Sequence, residues 1–257
     1  MTRRFDDYFV GKTIVITGAA SGIGRATALL MAQQGANVVC SDVQDVQGRQ
    51  TADLVNANGG QGIFVPCDVT RRADLKNLFQ QAISKFGGVQ FLLNSAGSAM
   101  KRSKFLDIDE DLLDRTFDLN FKGTFNAIQE ILPHMLENGH GVIVNIASMS
   151  VKRGGPGASI HYAAAKGAVN TLTLGVAREF ASQGIRCLSV SPGPIDTAFQ
   201  ASSNTSKELA EKFLADVPMG RMGQASEIAE LILFMCSNVC EFMTADTVYV
   251  SGGGGYK

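Results

Sequence analysis

The amino-acid sequence predicts an α/β fold: a doubly wound, seven-stranded parallel sheet with helices on both faces. Three observations lead there. Seven short apolar, β-branched runs alternate with stretches that read as helices, as in a parallel sheet joined by right-handed crossovers. A glycine-rich turn separates the first run from its helix. Polar and small residues recur just after successive runs, on the edge where an open parallel sheet binds ligands.

The first run is Lys12-Thr-Ile-Val-Ile-Thr17, short and β-branched, as a fully buried strand requires. Gly18-Ala-Ala-Ser21-Gly22-Ile23-Gly24 follows, and the helix from Arg25 is stopped by Gly35. Strand, glycine turn and helix form the context of a phosphate-binding loop. Glycines let the backbone turn sharply and touch a pyrophosphate. The helix N-terminus offers free N–H groups and a partial positive charge. The second strand, Asn37–Asp42, ends in an acid eighteen residues after Gly24. A carboxylate there can accept from both adenosine ribose hydroxyls and repels a 2′-phosphate, which argues for NAD over NADP. The competing reading is an Asp that caps the next helix.

Strand three, Gly62–Cys67, leads into Asp68 and Val69, and a helix spans about Arg71 to Phe86. Strand four, Val89–Leu93, ends in Asn94-Ser95-Ala96-Gly97. Each such cluster also reads as plain turn chemistry. Two helices follow, Glu110–Leu119 and Phe121–Leu136, with Asn120 between them marking a local break and a free carbonyl. Strand five, Gly141–Ala147, ends at Ser148, and a glycine-rich loop over Gly154–Gly157 opens the next helix, Ser159 to about Ala181. Strand six, Gly184–Val190, ends in Ser191-Pro192-Gly193-Pro194. Ile195 to Thr197 open a polar segment, 196–218, that interrupts the α/β pattern and reads as a substrate lid. A helix near Ser226–Cys236, a last strand at Thr247–Val250 and a flexible tail, Ser251–Gly255, complete one domain over residues 1–257.

Tyr162 and Lys166 stand one helical turn apart on one face. The Lys is expected to lower the phenol's pKa. At an effective dielectric of about 20 and a gap of about 4 Å the attraction is about 4 kcal/mol, roughly three pKa units at most. A phenol so tuned exchanges a proton near neutral or mildly alkaline pH. Tyr and Lys at this spacing also occur by chance on many helix faces, so the pair gains its meaning from the rest of the chain.

Hydrophobic residues make up 45% of the 257 and charged residues 18%, enough for a sizeable core. A formal net charge of −1 leaves no basic excess for nucleic acid. The start lacks the apolar core of a signal peptide, and no apolar run is long enough to span a bilayer, so no membrane partner is expected. Five cysteines, an odd number in a chain that needs no staples, read as reduced thiols in a cytoplasmic protein. Cys236 and Cys240 share a helix face without further ligands, which favours packing over metal; no metal site is expected.

Thr17-Gly-Ala-Ala-Ser-Gly-Ile-Gly24, Asp68-Val69, Asn94-Ser-Ala-Gly97, Asn120, Ser148, Tyr162-x-x-x-Lys166 and Pro192-Gly193 together resemble the short-chain dehydrogenase/reductase family, in its compact branch of about 250 residues. They span nearly the whole chain in the family's order. The resemblance implies a Rossmann-type fold, NAD as cofactor and a secondary alcohol or ketone as substrate. Ser148 would hydrogen-bond the substrate oxygen, and Tyr162 would take or give its proton. Lys166 would hold the nicotinamide ribose, and the Asn120 carbonyl would anchor a water bound to Lys166. Ile195 and Thr197 would contact the carboxamide, Asp68 and Val69 would flank the adenine, and Ala96 and Gly97 would let the ribose lie close. A homotetramer is implied, with the helices near Phe121–Leu136 and Ser159–Ala181 packing between subunits.

The chain departs from the family pattern in three places. Ser95 stands where the family usually has a second Asn, and Ser251-Gly252 where it often has an acid before glycine. The loop between Ser148 and Tyr162 has thirteen residues, one more than is common, which affects the substrate mouth and not the reaction. Met100, Met149, Pro194, Phe199 and Phe213 read either as an apolar pocket or as ordinary core. Lys101, Arg102, Lys104, Lys152 and Arg153 read either as a lure for an anionic substrate or, the better supported reading, as a solvated surface. Three alternatives compete with an NAD-dependent alcohol dehydrogenase or ketone reductase. They are an NAD-binding sensor or scaffold without turnover, an NADPH-dependent 3-oxoacyl reductase, and an epimerase working through a transient ketone.

Overall fold

In the computed structural model, which describes residues 5, 7–199 and 205–255, the sheet contains seven parallel strands. They are β1 (Thr13–Thr17), β2 (Asn37–Asp42), β3 (Gln61–Pro66), β4 (Phe91–Asn94), β5 (Gly141–Ile146), β6 (Ile185–Pro192) and, last in the chain, β9 (Thr247–Val250). Their order is β3-β2-β1-β4-β5-β6-β9, so the chain reverses direction across the sheet between β1 and β4. A smaller parallel pair, β7 (Ile195–Asp196) and β8 (Gly223–Gln224), is an addition that the sequence pattern did not suggest.

The central strands are buried on both faces, which is why they read as unbroken apolar runs rather than alternating ones. Their side chains still alternate between two cores. Ile14, Ile16, Val38, Phe91 and Val144 pack on one face with Ala28 and Met31 of α1 (Gly22–Gln33), Ala52 and Val55 of α2 (Asp45–Ala57), and Ile228 and Ile232 of α8 (Ala225–Cys236). Val15, Val39, Leu92 and Ile143 pack on the other with Leu75 and Leu78 of α3 (Arg72–Phe86), Ile128 and Ile131 of α5 (Gly123–Glu137), and Ala177 of α6 (Ile160–Phe180). Each fully buried Val, Leu or Ile contributes about 1.5–3 kcal/mol.

Two further helices shape the ligand edge: α4 (Glu110–Phe117) and α7 (Lys207–Ala215). Between α4 and α5 the helix does not stop. It widens into a π-turn over Asp118–Lys122, where the Gly123 N–H reaches back to the Asp118 carbonyl. The π-turn accommodates Asn120, fully buried, at the predicted break. Residues 200–204 of the expected lid lie outside the described residues; α7 occupies its second half. Among the described residues no helix is long and apolar enough to cross a membrane.

Candidate active site

A cavity of about 440 Å³ opens at the C-terminal ends of the strands, around the β1–β4 reversal. The fold brings most of the predicted site residues to its wall. Gly18, Ser21, Gly22 and Ile23 line it from the first turn, and Asp42, Asp68 and Val69 from the ends of the next two strands. Ala96, Gly97, Ser148, Tyr162 and Lys166 form its middle, and Pro192, Gly193, Ile195 and Thr197 its far side. Gly24, Asn94 and Asn120 do not line it, and each acts on it from behind.

The glycine turn is built by close approach. Gly18 has φ +71°, and a Cβ there would lie 2.7 Å from the Ala96 nitrogen. A Cβ on Gly24 would lie 2.2 Å from the Gly18 carbonyl oxygen, so Gly24 lets the first turn of α1 press against the loop. Thr17 fixes the other side: its hydroxyl oxygen accepts from the Ser95 and Ala96 N–H groups at 3.2 and 3.3 Å. The N-cap Ser21 makes no side-chain hydrogen bond to α1. The helix therefore presents its N-terminus to the cavity uncapped, a cradle that fits a pyrophosphate.

Asp42 lies at the end of β2 with its carboxylate already oriented. Oδ2 accepts from the Ala20 N–H at 3.0 Å and Oδ1 from the Gln44 N–H at 2.9 Å. These bonds hold the turn before α2, whose N-cap is Gln44 rather than Asp42. Each oxygen keeps lone pairs for a ligand.

Tyr162 and Lys166 are 8% and 3% exposed, one turn apart on α6. Their electrostatics overturn the expected tuning. Burial pushes the Tyr162 phenol up to about 12; the Ser148 hydrogen bond and the Arg102 charge work against that shift without cancelling it. Burial also pushes the Lys166 ammonium down to about 8. The ammonium is 5.9 Å from the centroid of the Tyr162 ring and donates to the Ile146 carbonyl at 2.6 Å. Burial of the phenol itself outweighs a cation aimed elsewhere. Ser148 is held by the Ser150 N–H, which donates to its hydroxyl oxygen at 3.1 Å.

Asn120 acts through its side chain. Its amide donates to the Ser98 and Thr116 carbonyls at 2.8 and 2.9 Å, and its Oδ1 accepts from the Ser98 N–H at 3.1 Å. This clips the loop after β4 beside Gly97, where a Cβ would sit 2.8 Å from Asn120 Oδ1 and 3.1 Å from Lys166 Nζ. The Asn120 carbonyl was expected to be free. It accepts from the Thr124 hydroxyl at 3.3 Å, because the next turn of α5 brings that side chain back over it. Asn94 donates to Asn145 Oδ1 at 2.9 Å, and Asn145 donates onward to the Thr173 hydroxyl, a buried chain tying β4, β5 and α6 together.

The remaining expectations divide. Met149, Pro194, Phe199 and Phe213 line the cavity and Met100 does not. Arg102 and Arg153 reach it, whereas Lys101 and Lys104 do not, and Lys152 stacks on the Tyr249 ring at 3.8 Å. The supposedly flexible tail is part of the site: Ser251, Gly254 and Gly255 line the cavity. Ser251 donates to the Gly254 carbonyl at 2.8 Å, and the Gly252 carbonyl accepts from the Met219 N–H at 3.1 Å. A run of glycines signals freedom in the unfolded chain; here it permits packing, since a Cβ on Gly255 would meet the Met149 side chain at 2.5 Å. Cys236 and Cys240 are both buried, with Cys240 Sγ donating to the Phe234 carbonyl.

Comparison with known proteins bears on this geometry. Residues 18–254 match the family model described as enoyl-(acyl carrier protein) reductase. The chain is 36% identical to an uncharacterized oxidoreductase, YxbG, of Bacillus subtilis over 94% of this chain and 90% of that one. It is 35% identical to the 4-formylbenzenesulfonate dehydrogenase TsaC1/TsaC2 of Comamonas testosteroni, over 93% and 96% of the two chains. It is 34% identical to the 3-oxoacyl-[acyl-carrier-protein] reductase FabG of Thermotoga maritima, over 95% and 97%. Among solved structures, levodione reductase superposes with a TM-score of 0.89 at 30% identity, covering 95% of this chain and 98% of that one. The glycine cradle, the Ser148–Tyr162–Lys166 set and these matches along nearly the whole chain agree: this protein belongs to the short-chain dehydrogenase/reductase family of oxidoreductases.

Proposed function

We propose that the protein is an NAD(H)-dependent oxidoreductase that interconverts a secondary alcohol and a ketone. The observation that carries the reading is the place of Tyr162: buried in the cavity wall that Ser148 also lines, one helical turn from Lys166, with burial holding its phenol in the protonated form. A protonated phenol at the wall of such a cavity is a proton donor for a carbonyl oxygen bound there.

The residues fit a nicotinamide dinucleotide. The uncapped N-terminus of α1 and the Gly18–Gly24 turn suit its pyrophosphate, Asp42 its adenosine ribose, and Asp68 with Val69 its adenine. Lys166, with Gly97 beside it, suits the second ribose, and Ile195 and Thr197 the carboxamide. When bound, the nicotinamide supplies the hydride carrier. In reduction Tyr162 gives its proton to the substrate oxygen while Ser148 holds that oxygen by hydrogen bond; carbonyl carbon gains a hydride, oxygen a proton, and the product is the alcohol. In oxidation the same phenol, as phenolate, receives the proton. After reduction the phenolate regains a proton, and after oxidation the phenol gives one up, along a path proposed to run through Lys166 and a bound water to the Asn120 carbonyl, which Thr124 also reaches.

The preference for NAD rests on Asp42, whose fixed negative charge opposes a 2′-phosphate. The FabG relative gives a second reading, an NADPH-dependent 3-oxoacyl reductase. The 4-formylbenzenesulfonate dehydrogenase relative points instead to small oxidisable substrates. We extend the proposal to a homotetramer packed through α5 and α6, which expose Phe125, Ile160 and Leu174, to a lid over 196–218, and to a cytoplasmic setting suited to five free, buried thiols. A monomer by light scattering would remove the first of these.

The test is NAD⁺ reduction by the purified protein against a broad panel of secondary alcohols, with Tyr162→Phe in parallel. Wild-type turnover that collapses in the variant supports the reading. Silence across the panel with NADH still bound would favour a sensor or scaffold.

A further inference from the structure

Arg102, in the loop after β4, reaches the wall of the cavity that holds Tyr162. Its guanidinium is half-buried, and among the described residues every partner it has is neutral. Nη1 donates to the Pro156 and Gly157 carbonyls at 3.3 and 3.1 Å. Nε and Nη2 both donate to the Thr205 hydroxyl oxygen at 3.2 Å each. The Phe213 ring lies 5.4 Å from the guanidinium carbon. Among the described residues no carboxylate pairs with Arg102, and residues 200–204 contain no acid. The contrast is Arg153, which lines the same cavity but is neutralised by Asp216. Arg49, Arg72, Arg115 and Arg221 are likewise each paired with an acid.

A guanidinium taken partly out of water without a counter-charge is costly, and the cost falls when an anion arrives. The Nε/Nη2 edge now spent on one hydroxyl oxygen is the fork with which arginine grips a carboxylate through two parallel hydrogen bonds. Thr205 is a weak, neutral occupant of that fork. Phe213 beside Arg102 and Phe199, whose ring centroid is 5.8 Å from that of Tyr162, give the space between the cation and the phenol an apolar lining. Burial disfavours the charge on Arg102, while its field reaches Tyr162 and eases ionisation of the phenol. The two groups thus act within one site.

We propose that Arg102 is the anion-binding residue of the substrate pocket, and that the substrate is a ketone or alcohol bearing a carboxylate, which takes the Arg102 fork from Thr205 while its apolar frame lies against Phe199 and Phe213. This rests on the oxidoreductase reading for the fate of the substrate, but not for its binding.

The experiment compares carboxylates with their methyl esters: levulinate, a cyclohexanone carboxylate and para-acetylbenzoate. Each is titrated into the protein–NAD⁺ complex by calorimetry and assayed with NADH. At least one acid is expected to bind roughly tenfold to a hundredfold tighter than its ester, a preference of the size that charge-assisted fork bonds supply. In Arg102→Gln the acid-to-ester ratio falls towards one through KM rather than kcat, and Arg102→Lys keeps part of it. Arg153→Gln keeps the ratio. Should Arg102→Gln fail to fold, the wild-type ratio and the lysine variant still decide. Binding of no acid, equal handling of acid and ester, or a preference lost in Arg153→Gln but not in Arg102→Gln would overturn the proposal. A protein that binds acids over esters yet turns over neither loses the oxidoreductase reading and keeps the anion site. One that reduces esters as readily as acids does the reverse.

Discussion

The Lys166 ammonium donates to the Ile146 carbonyl at 2.6 Å and stands 5.9 Å from the centroid of the Tyr162 ring. The two side chains share a helix face, as their spacing required, but the cation serves the backbone of β5 and not the phenol. With burial dominant, Tyr162 is pushed up to about 12 and stays protonated through the physiological range.

This sets opposite pH dependences for the two directions of a carbonyl reaction. Reduction draws on the protonated phenol and is expected to be level, so far as Tyr162 is concerned, between about pH 7 and pH 9. Oxidation draws on the phenolate, whose fraction below the pKa grows tenfold per pH unit, so kcat/KM for an alcohol should climb about tenfold per unit, roughly a hundredfold over the same range. Ser148→Ala removes a hydrogen bond that lowers the pKa and should move the alkaline limb further up. Stopped-flow rates of both directions across pH check this. An oxidation rate flat over that range would assign the proton to another group.

Gly97 makes room for both Asn120 and Lys166. A Cβ there would come within 2.8 Å of one and 3.1 Å of the other, and neither can retreat, since both are buried and hydrogen-bonded. Gly97→Ala should cost about 1–3 kcal/mol of stability and, by displacing Lys166, roughly a hundredfold in kcat/KM. Urea unfolding and steady-state kinetics measure the two. Native turnover in this variant would show that the loop adapts and that Lys166 need not be held where it is.

Asp42 should act through charge. Asp42→Asn keeps an acceptor for one of the Ala20 and Gln44 N–H groups, which now bond separate carboxylate oxygens, turns an amide NH2 towards the other, and removes the repulsion of a 2′-phosphate. One charge at about 5 Å in a medium of effective dielectric about 20 contributes about 3 kcal/mol at most. The ratio of kcat/KM with NADP to that with NAD is therefore expected to rise roughly tenfold to a hundredfold. If the wild type already prefers NADPH, the carboxylate does not select the cofactor, and the 3-oxoacyl reductase reading gains.

These sites were legible to different depths. The central strands were readable because strands buried on both faces must be largely apolar, and β1, β4 and β5 are; the edge strands β3 and β9, partly exposed, showed through their short β-branched runs. Asn120 stood out as a polar residue within a helical pattern, though not that its place is a π-turn. Distances were beyond reach. The i,i+4 spacing of Tyr162 and Lys166 fixes their face, but where the ammonium points depends on the Ile146 carbonyl, which a different strand brings in. The tail misled for a related reason. Four glycines after Ser251 have no local preference for order, and residues further back in the chain, among them Met149, Val217, Pro218 and Met219, make that stretch a wall. Arg102 and Arg153 were indistinguishable as letters; Asp216 separates them by pairing with one.

Lys166 also carries a cost that thermodynamics can expose. Burial lowers its pKa to about 8, against 10.5 for a solvated lysine such as the unfolded chain presents. Between those values the unfolded chain holds a proton that the folded one has released, so this group makes stability rise with pH from about 8 to about 10.5. Below that window the buried ammonium destabilises the folded state by about 3 kcal/mol. Tyr162 acts oppositely and later: raised from 10.0 to about 12, it makes stability fall as pH rises through that interval. Lys166→Met, of similar length and without the charge, should therefore be more stable than wild type at pH 7, by about 1–3 kcal/mol once the unpaired Ile146 carbonyl is allowed for. It should show no rise in stability between about pH 8 and pH 10 and should lose most turnover. Urea unfolding at neutral and alkaline pH, without cofactor, measures this. A variant less stable than wild type at pH 7 would mean that the ammonium is well solvated or well paired where it lies, and that its place in the site costs the fold nothing.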